Sequence, residues 1–515
     1  MRPARRGRRA TGDTSLNAAR RARELAQARE TVLDVLVVGL GATGAGAALD
    51  AAARGLSVAA VDACDLAAGT SRWSSKLIHG GLRYLASGRL GLAAESAVER
   101  GILLTRTAPH LVRAHPYLLP LTRGVSLGQE ALAMAGYRLG DALRAAARTP
   151  RHLLPGPVRL TAEQAIEHLP AVEPGGLRGA LLSWDGRLAD DARLVVAIAR
   201  TAAGHGARVL TRCRALELYP DGALARDELT GETFRLRARA TLNAAGVWAG
   251  GLVPSVALRP SRGTHLVLRP GALHGPPAGM HLPLPGERAR FALVLPQRDG
   301  RVHVGLTDEP VDGPVPDVLD GVDVPERDVT FLLGALNSVL STPLGRADVA
   351  GAYAGLRPLL AGAGTGRTAD LSRRHAVLVS PEGVVTVVGG KLTTYRRMAE
   401  DAVDRLVALR GLQAGACRTR RLPLVGAATE PVRAPWRLVE RYGAEAPAVR
   451  ALVQADPALA ERVGPGVTAA DLVWAVRHEG ALDAGDLLDR RTRIGLVPRD
   501  REAALPAAEA ALNTA

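Results

Sequence analysis

Residues 34–62 carry the sequence feature that most constrains the fold of this chain. The segment opens with a short apolar run that has the length and branching of a buried strand. Gly39, Gly41 and Gly44 follow with G-x-G-x-x-G spacing, directly before an alanine-rich helical pattern, and a second apolar run ends at Asp62. This order predicts a dinucleotide site, in which a helix N-terminus holds the pyrophosphate and Asp62 a ribose hydroxyl. The plainer alternative is a glycine-rich turn that only packs a helix on a sheet.

The composition is typical of a globular protein with a sizeable core. Of the 515 residues, 47% are hydrophobic and 23% charged, and the length leaves room for more than one domain. The three cysteines are far apart with no C-x-x-C pair, which argues against a disulfide framework, a zinc site or a cysteine-held iron–sulfur cluster and suggests a reducing compartment. The net charge of +15 suits nucleic acid, an anionic membrane or an anionic substrate and does not choose among them.

Lysine is nearly absent from this arginine-rich chain. Of its 66 Lys and Arg residues, only Lys76 and Lys391 are lysines. Their retention suggests positions where a compact ammonium is needed and a planar guanidinium will not serve. Both lie in motifs described below.

The first 30 residues are rich in arginine and lack the apolar stretch of about 7–15 residues that a secretory signal needs. We expect a solvated basic extension here, with a short helix over 16–30; contact with a membrane surface or nucleic acid is the alternative. No run of about 18 apolar residues occurs in the chain, so no membrane span is predicted.

The middle of the chain leaves the dinucleotide architecture and returns to it. Amphipathic helical patterns cover 89–110 and 128–147, separated by Pro116 and Pro120, and a loop-like segment follows at 150–176. A capped helix at 190–204 and strands at 207–218 and 235–243 then resume the first pattern. This interleaving predicts two domains that close a cleft between them.

The remainder of the chain is predicted to hold a second sheet and a helical tail. Short apolar runs alternate with turn signals over 251–345, which indicates an antiparallel sheet suited to the floor of a substrate site. A hairpin-like pair lies within 377–388, and a helix runs to about residue 410. The tail, 411–515, is helical in pattern, and we identify no site in it.

Eight motifs between about residues 31 and 410 resemble FAD-dependent glycerol-3-phosphate dehydrogenase of the aerobic, quinone-linked type. They are GLGATG at 39–44, SSKLIHGGLRYL at 74–85, DDARL at 190–194, NAAGVW at 243–248, GTHLVL at 263–268, GLTD at 305–308, GLRPL at 355–359 and GGKLTTYRRMAE at 389–400. Weaker similarity extends over 477–496. Arg72 and Trp73 depart from the family, which usually has small residues there, and the basic N-terminal extension is atypical.

The resemblance implies an α/β fold: a glutathione-reductase/amino-acid-oxidase-like FAD-binding fold with an interleaved antiparallel-sheet substrate domain and a C-terminal helical domain. The expected divisions are a basic extension at 1–30, an FAD-dependent oxidoreductase region at 31–410 and the helical domain at 411–515. Within the oxidoreductase region, FAD-binding segments fall at about 31–88, 177–250 and 346–410, and substrate or cap segments at about 89–176 and 251–345.

The resemblance also implies non-covalent FAD. The residues expected to bind it are Gly39, Gly41, Ala42, Thr43, Gly44, Asp62, Thr70, Ser71, Ser75, Lys76, Leu77, His79, Gly80, Gly81, Ala215, Ala245, Gly246, Trp248, Gly390, Lys391, Leu392, Thr393 and Thr394. His79 is expected to pack near the flavin rather than to remove a proton.

The implied substrate, sn-glycerol 3-phosphate, carries a phosphate dianion and a secondary alcohol. Its oxidation to dihydroxyacetone phosphate requires the C2–H to lie over flavin N5 for hydride transfer while a base takes the hydroxyl proton. The site therefore needs a cationic cradle for the phosphate. Arg357, Arg83 and Arg373 are the arginines that the resemblance brings to the cleft, although a lone arginine is more often a surface ion-pair partner.

Three further residues are candidates for the substrate site. The ammonium of Lys391 can reach the phosphate or the hydroxyl of the substrate. The alternative is that Lys391 is an ordinary surface lysine. His265 is a candidate base, but its apolar neighbours also suit a core histidine. Tyr84 can bond the substrate through its hydroxyl or simply pack half-buried. The predicted catalytic set is Lys391, His265, Arg357 and Arg83; the substrate-binding set adds Tyr84 and Arg373.

The sequence thus predicts a flavoenzyme that oxidises glycerol 3-phosphate. The resemblance implies electron transfer to a membrane quinone, and the positive charge fits peripheral attachment to the anionic inner face of the cytoplasmic membrane. It also allows a homodimer. One alternative is an oxygen-using oxidase or a related flavin oxidoreductase. Another is an inactive flavin-binding protein that docks on nucleic acid through its basic arm, which the intact Lys391, Arg357 and His265 disfavour.

Overall fold

The structure, a computed structural model, describes residues 12–86, 88–284, 291–311, 313, 315–316, 322–361 and 374–514, without the side chains of residues 83 and 86. The helices are α1 (Ala18–Glu30), α2 (Ala42–Ala53), α3 (Leu82–Ala86), α4 (Leu90–Ile102), α5 (Leu127–Ala146), α6 (Ala162–His168), α7 (Asp191–Gly204), α8 (Ala249–Leu252), α9 (Glu326–Asn337), α10 (Tyr395–Arg410), α11 (Trp436–Tyr442), α12 (Ala446–Ala455), α13 (Ala469–His478) and α14 (Pro498–Asn513).

The strands fall into two large sheets and one short pair. They are β1 (Val32–Val38), β2 (Val58–Val61), β3 (Leu77–Ile78), β4 (Val112–Pro120), β5 (Val158–Leu160), β6 (Ala180–Leu188), β7 (Arg208–Leu210), β8 (Cys213–Tyr219), β9 (Gly222–Asp227), β10 (Thr233–Asn243), β11 (Ser261–Leu268), β12 (Gly279–Pro283), β13 (Phe291–Pro296), β14 (Val302–Gly305), β15 (Glu309–Pro310), β16 (Val349–Arg357), β17 (Ala376–Val379), β18 (Val385–Val388), β19 (Arg462–Gly464) and β20 (Val467–Thr468).

The first sheet has the order β17-β18-β10-β1-β2-β7 in the described residues, with β8 and β9 attached through β10. Strands β18, β10, β1, β2 and β7 run parallel to one another, while β17 pairs antiparallel with β18 and β9 with β10. Val35 and Val37 pack into the core shared with α2, α7 and α10, while Leu36 and Val38 pack on the other face. Burial on both faces explains why β1 reads as a continuous apolar run. The prediction of strands on both sides of the glycine motif is confirmed.

The second sheet has the order β15-β11-β14-β13-β12-β4-β6-β3 in the described residues, with β16 on β11 and β5 on β6. Its pairs are antiparallel except β12 with β4. The antiparallel sheet predicted over 251–345 is therefore confirmed. One core packs this sheet against α6 and α9.

Between residues 110 and 176 one local prediction is confirmed and one is wrong. Pro116 and Pro120 separate two helical segments, as predicted, and lie in the nine-residue strand β4, which pairs along its whole length with β6. The segment 150–176, predicted as a loop, contains β5 and α6, and α6 begins with a Thr161 capping box. The capping side chain satisfies N–H groups at the start of the helix, which makes so short an element stable.

The described part of the basic extension packs against the first sheet. Helix α1 forms as predicted, and Leu25 and Ala28 enter the core on the β10 side of the sheet. Two of its arginines are buried in ion pairs rather than solvated: Arg20 pairs with Glu24 at 2.7 Å and Arg21 with Asp227 at 2.5 Å. Residues 1–11 lie outside the described part of the chain.

The C-terminal region is helical, as predicted, and carries the small β19–β20 pair. Its two hydrophobic clusters involve α11–α14. Buried ion pairs join it to the rest of the molecule, including Arg193–Glu479 at 2.5 Å and Arg200–Glu445 at 2.6 Å, both from α7. Among the described helices, none combines the length and apolar character that a membrane crossing requires.

Candidate functional site

A cavity of about 2490 Å³ is lined by residues of both large sheets and of the C-terminal region. Its volume exceeds the range of about 300–1,000 Å³ that is usual for small-ligand pockets, so it has room for a dinucleotide and a second ligand. Most of the predicted site residues line it.

The glycine motif forms one end of the cavity, and its close packing requires glycine. A Cβ on Gly44 would lie 1.8 Å from the carbonyl oxygen of Gly39, and one on Gly39 would lie 2.5 Å from that of Ala244. These contacts draw the start of α2 against the ends of β1 and β10. Gly41, Ala42 and Thr43 consequently present the N-terminus of α2 to the cavity, where N–H groups suit a pyrophosphate.

Asp62 lies at the end of β2, on the cavity wall. Its carboxylate accepts hydrogen bonds from the backbone N–H groups of Leu40, at 2.7 Å, and Cys64, at 2.9 Å. Burial raises the pKa of Asp62, and these two hydrogen bonds oppose that rise. The carboxylate is held beside the glycine turn and retains acceptor capacity, which fits a ribose hydroxyl.

These features fit FAD. The helix N-terminus, the acid and the glycine turn face one cavity, and the residues after β10 extend the same wall: Ala245, Gly246 and Trp248 line it. Trp248 is oriented by a hydrogen bond of 2.8 Å from its indole N–H to the carbonyl of Pro316. Ala215 of β8 lines the cavity near Asp62.

The segment after β2 connects the cofactor end to the second sheet. Ser71 accepts a hydrogen bond of 2.9 Å from the N–H of Ala42, and Thr70 donates one of 2.6 Å to the carbonyl of Leu356. Arg72 stacks its guanidinium over the Trp73 ring at 4.2 Å. The two large side chains, whose packing the sequence left open, thus pack against each other.

Lys76 is not among the described residues that line the cavity. Its ammonium lies 3.0 Å from the carboxylate of Asp191, donates to the carbonyl oxygens of Arg72 and Ser74, and is 97% buried. Burial lowers the pKa of this ammonium, and Asp191 opposes the shift. The side chain of Lys76 is thus a structural ion-pair partner beneath the site, so its expected role as a cofactor ligand is not supported by its position.

Lys391 does line the cavity. It follows β18 through Gly389 and Gly390, and its ammonium donates to the hydroxyl of Ser96 and lies 4.1 Å from the centre of the Tyr84 ring. Tyr84 also lines the cavity and is buried. Lys391 and Tyr84, each predicted for the substrate site, are thus brought together on the cavity wall.

Arg357 lies at the end of β16 and lines the cavity from the second sheet. One terminal nitrogen donates to the Ser261 hydroxyl at 3.0 Å and to Asp308 at 3.2 Å; the other donates to the carbonyl of Thr307 at 2.9 Å. These contacts fix the plane of the guanidinium. An arginine held in this way is suited to binding an oxyanion.

His265 lies just behind the cavity wall. Its Nε2 is 2.9 Å from the hydroxyl of Ser75, which lines the cavity, and its ring stacks on Tyr353 with centroids 4.8 Å apart. Nδ1 is buried and finds no hydrogen-bond partner among the described residues. Burial, reinforced by the charges of Lys76 and Arg357, holds the pKa of His265 well below its usual value, so the ring is neutral at pH 7.

The other predicted residues divide into three groups. Those that line the cavity are Leu77, His79, Gly390, Leu392 and Thr393. Those that do not line it are Gly44, Gly80, Gly81 and Thr394. Arg373 and the side chain of Arg83 are outside the described residues.

Sequence reasoning missed the contribution of the C-terminal region to the cavity. Asp483, Asp489, Arg490 and Arg501 all line it, although no site was identified in the tail. The one sequence signal was the weak family similarity over residues 477–496. Sequence reasoning also missed Ser96 and Asp308, the partners that orient Lys391 and Arg357.

Comparison with known proteins gives two family matches along the chain. Residues 34–396 match a family described as FAD dependent oxidoreductase. Residues 417–514 match one described as the C-terminal domain of alpha-glycerophosphate oxidase.

Several relatives are similar over most of their length. Glycerol-3-phosphate dehydrogenase 1 of Mycobacterium tuberculosis is 54% identical, covering 97% of this chain and 98% of that protein. The mitochondrial glycerol-3-phosphate dehydrogenase of Rattus norvegicus is 33% identical, covering 92% of this chain and 69% of that protein. The crystal structure of the glycerol-3-phosphate dehydrogenase from Bacillus halodurans complexed with FAD has a TM-score of 0.74 and 26% identity, covering 97% of this chain and 94% of that one.

Proposed function

Because this chain belongs to the family of FAD-dependent glycerol-3-phosphate dehydrogenases, we propose that it oxidises sn-glycerol 3-phosphate to dihydroxyacetone phosphate. The observation that carries the proposal is that Arg357 and Lys391, two cationic side chains, line the same cavity as the glycine motif. A substrate with a phosphate dianion next to an oxidisable alcohol needs this combination of charge and cofactor.

In this proposal Arg357 binds the phosphate. Its guanidinium is already oriented by Ser261, Asp308 and the Thr307 carbonyl, so little conformational entropy is lost when the oxyanion binds. Arg83 and Arg373 are proposed as further phosphate ligands on the family resemblance alone. A fixed phosphate positions C2 of the substrate, which converts binding energy into orientation.

Lys391 and His265 are the groups proposed to act on the C2 hydroxyl. The Lys391 ammonium can hold the hydroxyl oxygen, and its contact with the Tyr84 ring keeps it at the cavity surface. The neutral His265 can take the proton through Ser75 Oγ, which is 2.9 Å from Nε2 and lines the cavity. FAD, when bound, supplies the acceptor for the two electrons and the hydrogen that leave C2.

A membrane quinone is the proposed electron acceptor. The wall provided by α5 is apolar but exposed: Leu132 and Leu139 line the cavity and are 65% and 42% exposed, and Phe291 beside them is 41% exposed. Such a wall suits an apolar acceptor. The net charge of +15 supports peripheral attachment to the anionic inner face of the cytoplasmic membrane. A homodimer is part of the proposal and is checked by light scattering.

An oxygen-using oxidase is the second candidate, favoured by the family description matched at 417–514. Hydrogen peroxide formed in step with substrate consumption in air would support it. Substrate-dependent reduction of a soluble quinone analogue, without peroxide, would support the dehydrogenase.

The first experiment is the visible spectrum of the FAD-loaded protein under anaerobic conditions, before and after addition of glycerol 3-phosphate. Rapid loss of the flavin band is expected. A band that stays oxidised with this substrate, while dithionite reduces it, would remove the proposed substrate and leave the cofactor assignment intact.

A further inference from the structure

The C-terminal segment 483–501 forms a wall of the cofactor cavity. Asp483, Asp489, Arg490 and Arg501 line the cavity together with Asp62. This segment lies more than 400 residues after Asp62 in the sequence, yet it stands beside this residue, which is assigned to the ribose.

Asp65 is the point at which this wall is anchored. It follows Asp62 by three residues, is fully buried and accepts hydrogen bonds from two consecutive arginines. Arg491 bonds it through both terminal nitrogens, at 2.6 and 2.9 Å, and Arg490 bonds it at 2.7 Å. Although burial alone would raise it, the pKa of Asp65 is held below its usual value by these guanidinium groups.

The loop from Asp62 to Asp65 is also held by a second set of contacts, on its other side. The N–H of Arg212 donates to the carbonyl of Cys64 at 2.7 Å, and the N–H of Cys213 donates to that of Asp62 at 2.7 Å. The guanidinium of Arg212 turns to the C-terminal segment, where it bonds Asp486 at 2.8 Å and also Asp483. The loop from Asp62 to Asp65 is therefore fixed between the start of β8 and the C-terminal segment.

The far end of the segment packs at the other end of the cavity. The Leu496 carbonyl approaches Gly351 of β16 so closely that a Cβ there would lie 2.2 Å from it. Leu496 and Val497 pack with Trp73 and Tyr353, the latter stacked on His265. Segment 483–501 thus extends from Asp62, the residue assigned to the ribose, to the substrate side of the cavity.

We propose that segment 483–501 is the retaining wall for the adenosine half of FAD, with Asp65 as the positioning residue through which Arg490 and Arg491 hold Asp62 in place. This rests on the assignment of Asp62 to the ribose and is independent of which alcohol is oxidised. Asp65 lies behind the site and acts through the loop, so its loss weakens cofactor binding without removing a contact to the cofactor.

The test is the affinity of apoprotein for FAD and for ADP, which carries the adenosine half alone. Asp65→Asn keeps the size of the side chain and removes the charge that two buried guanidinium groups share. We expect the dissociation constants of FAD and ADP, measured by calorimetry, to rise by the same factor of about ten or more. Arg200→Gln is the control, since it breaks a partly buried ion pair between α7 and Glu445, outside segment 483–501, and should leave both constants unchanged.

Unchanged FAD and ADP affinities in folded Asp65→Asn would overturn the proposal. Weaker FAD binding with unchanged ADP binding would also overturn it, because the wall would then act on the flavin half. If Asp65→Asn fails to fold, Arg490→Met decides, since it leaves the Arg491–Asp65 pair in place: wild-type affinities in this variant would contradict the proposal. Failure of the substrate assignment would appear only in flavin bleaching, which these binding constants do not involve.

Discussion

The two cationic residues assigned to the substrate, Arg357 and Lys391, come from different sheets and are oriented by different means. Arg357, at the end of β16, is held by a hydroxyl, a carboxylate and a carbonyl. Lys391, after β18, is held by the Ser96 hydroxyl and the face of Tyr84. The two sheets must therefore be correctly placed relative to each other before both charges can act on one substrate.

Arg357→Ala is expected to raise KM and lower kcat, because phosphate binding also positions C2. The loss of a charge-assisted contact worth about 1.5–3 kcal/mol corresponds to a fall in kcat/KM of about 10- to 100-fold. Both constants are measured by steady-state kinetics with a quinone analogue as the electron acceptor. Arg269→Ala is the control: this arginine is exposed and pairs with Asp348, away from the cavity, and should leave both constants near wild type. An unchanged KM in Arg357→Ala would contradict the phosphate role.

Lys391→Arg is expected to be damaging although the charge is kept. The planar guanidinium cannot occupy the place of a compact ammonium that contacts both Ser96 and the Tyr84 ring. We expect at least about a tenfold loss of kcat/KM with the FAD content unchanged. Near wild-type activity would refute the interpretation that this position requires an ammonium rather than a guanidinium.

The contribution of His265 to stability is expected to depend on pH. Its pKa in the folded protein is well below 6.5, so the ring stays neutral there while the unfolded chain takes up a proton as the pH falls through about 6.5. The stability that neutral His265 contributes is therefore present above that pH and declines below it. The difference in Tm between wild type and His265→Gln should narrow from pH 7.5 to pH 5. A difference that widens on acidification would show that the folded ring binds the proton.

At the level of elements, the turn between β1 and α2 is set by steric contact. In Gly44→Ala the added methyl group would meet the Gly39 carbonyl at 1.8 Å, which must displace the helix from the strand ends. We expect loss of FAD binding and a large fall in Tm, measured by flavin fluorescence and thermal unfolding. Gly334→Ala in α9 is the control: no atom lies within 4 Å of its added Cβ, and a helical alanine should add about 0.5–1 kcal/mol of stability.

Elements that depend on local pattern were predictable, and those that depend on distant partners were not. The spacing of Gly39, Gly41 and Gly44 determines the strand, turn and helix around it. Pro116 was predicted to lie between two helices but not in a strand; β12 pairs with β4 only at residues 117–118, so a proline at 116 interrupts no ladder on that side. The Asp65–Arg491 contact joins positions 426 residues apart, and no periodicity records it.

At the scale of the whole molecule, the cavity is walled by two sheets and the C-terminal segment, so ligands that fill it would contact all three. Binding of FAD to the folded state alone stabilises that state by mass action, by about 2.7 kcal/mol at a free concentration 100 times the dissociation constant. We expect the apoprotein to melt at a lower temperature than the FAD-loaded protein and its Tm to rise with added FAD. Both sheets and the C-terminal helices should gain protection from hydrogen exchange together. Protection confined to the first sheet would mean that the second sheet and segment 483–501 do not share the cofactor cavity in solution.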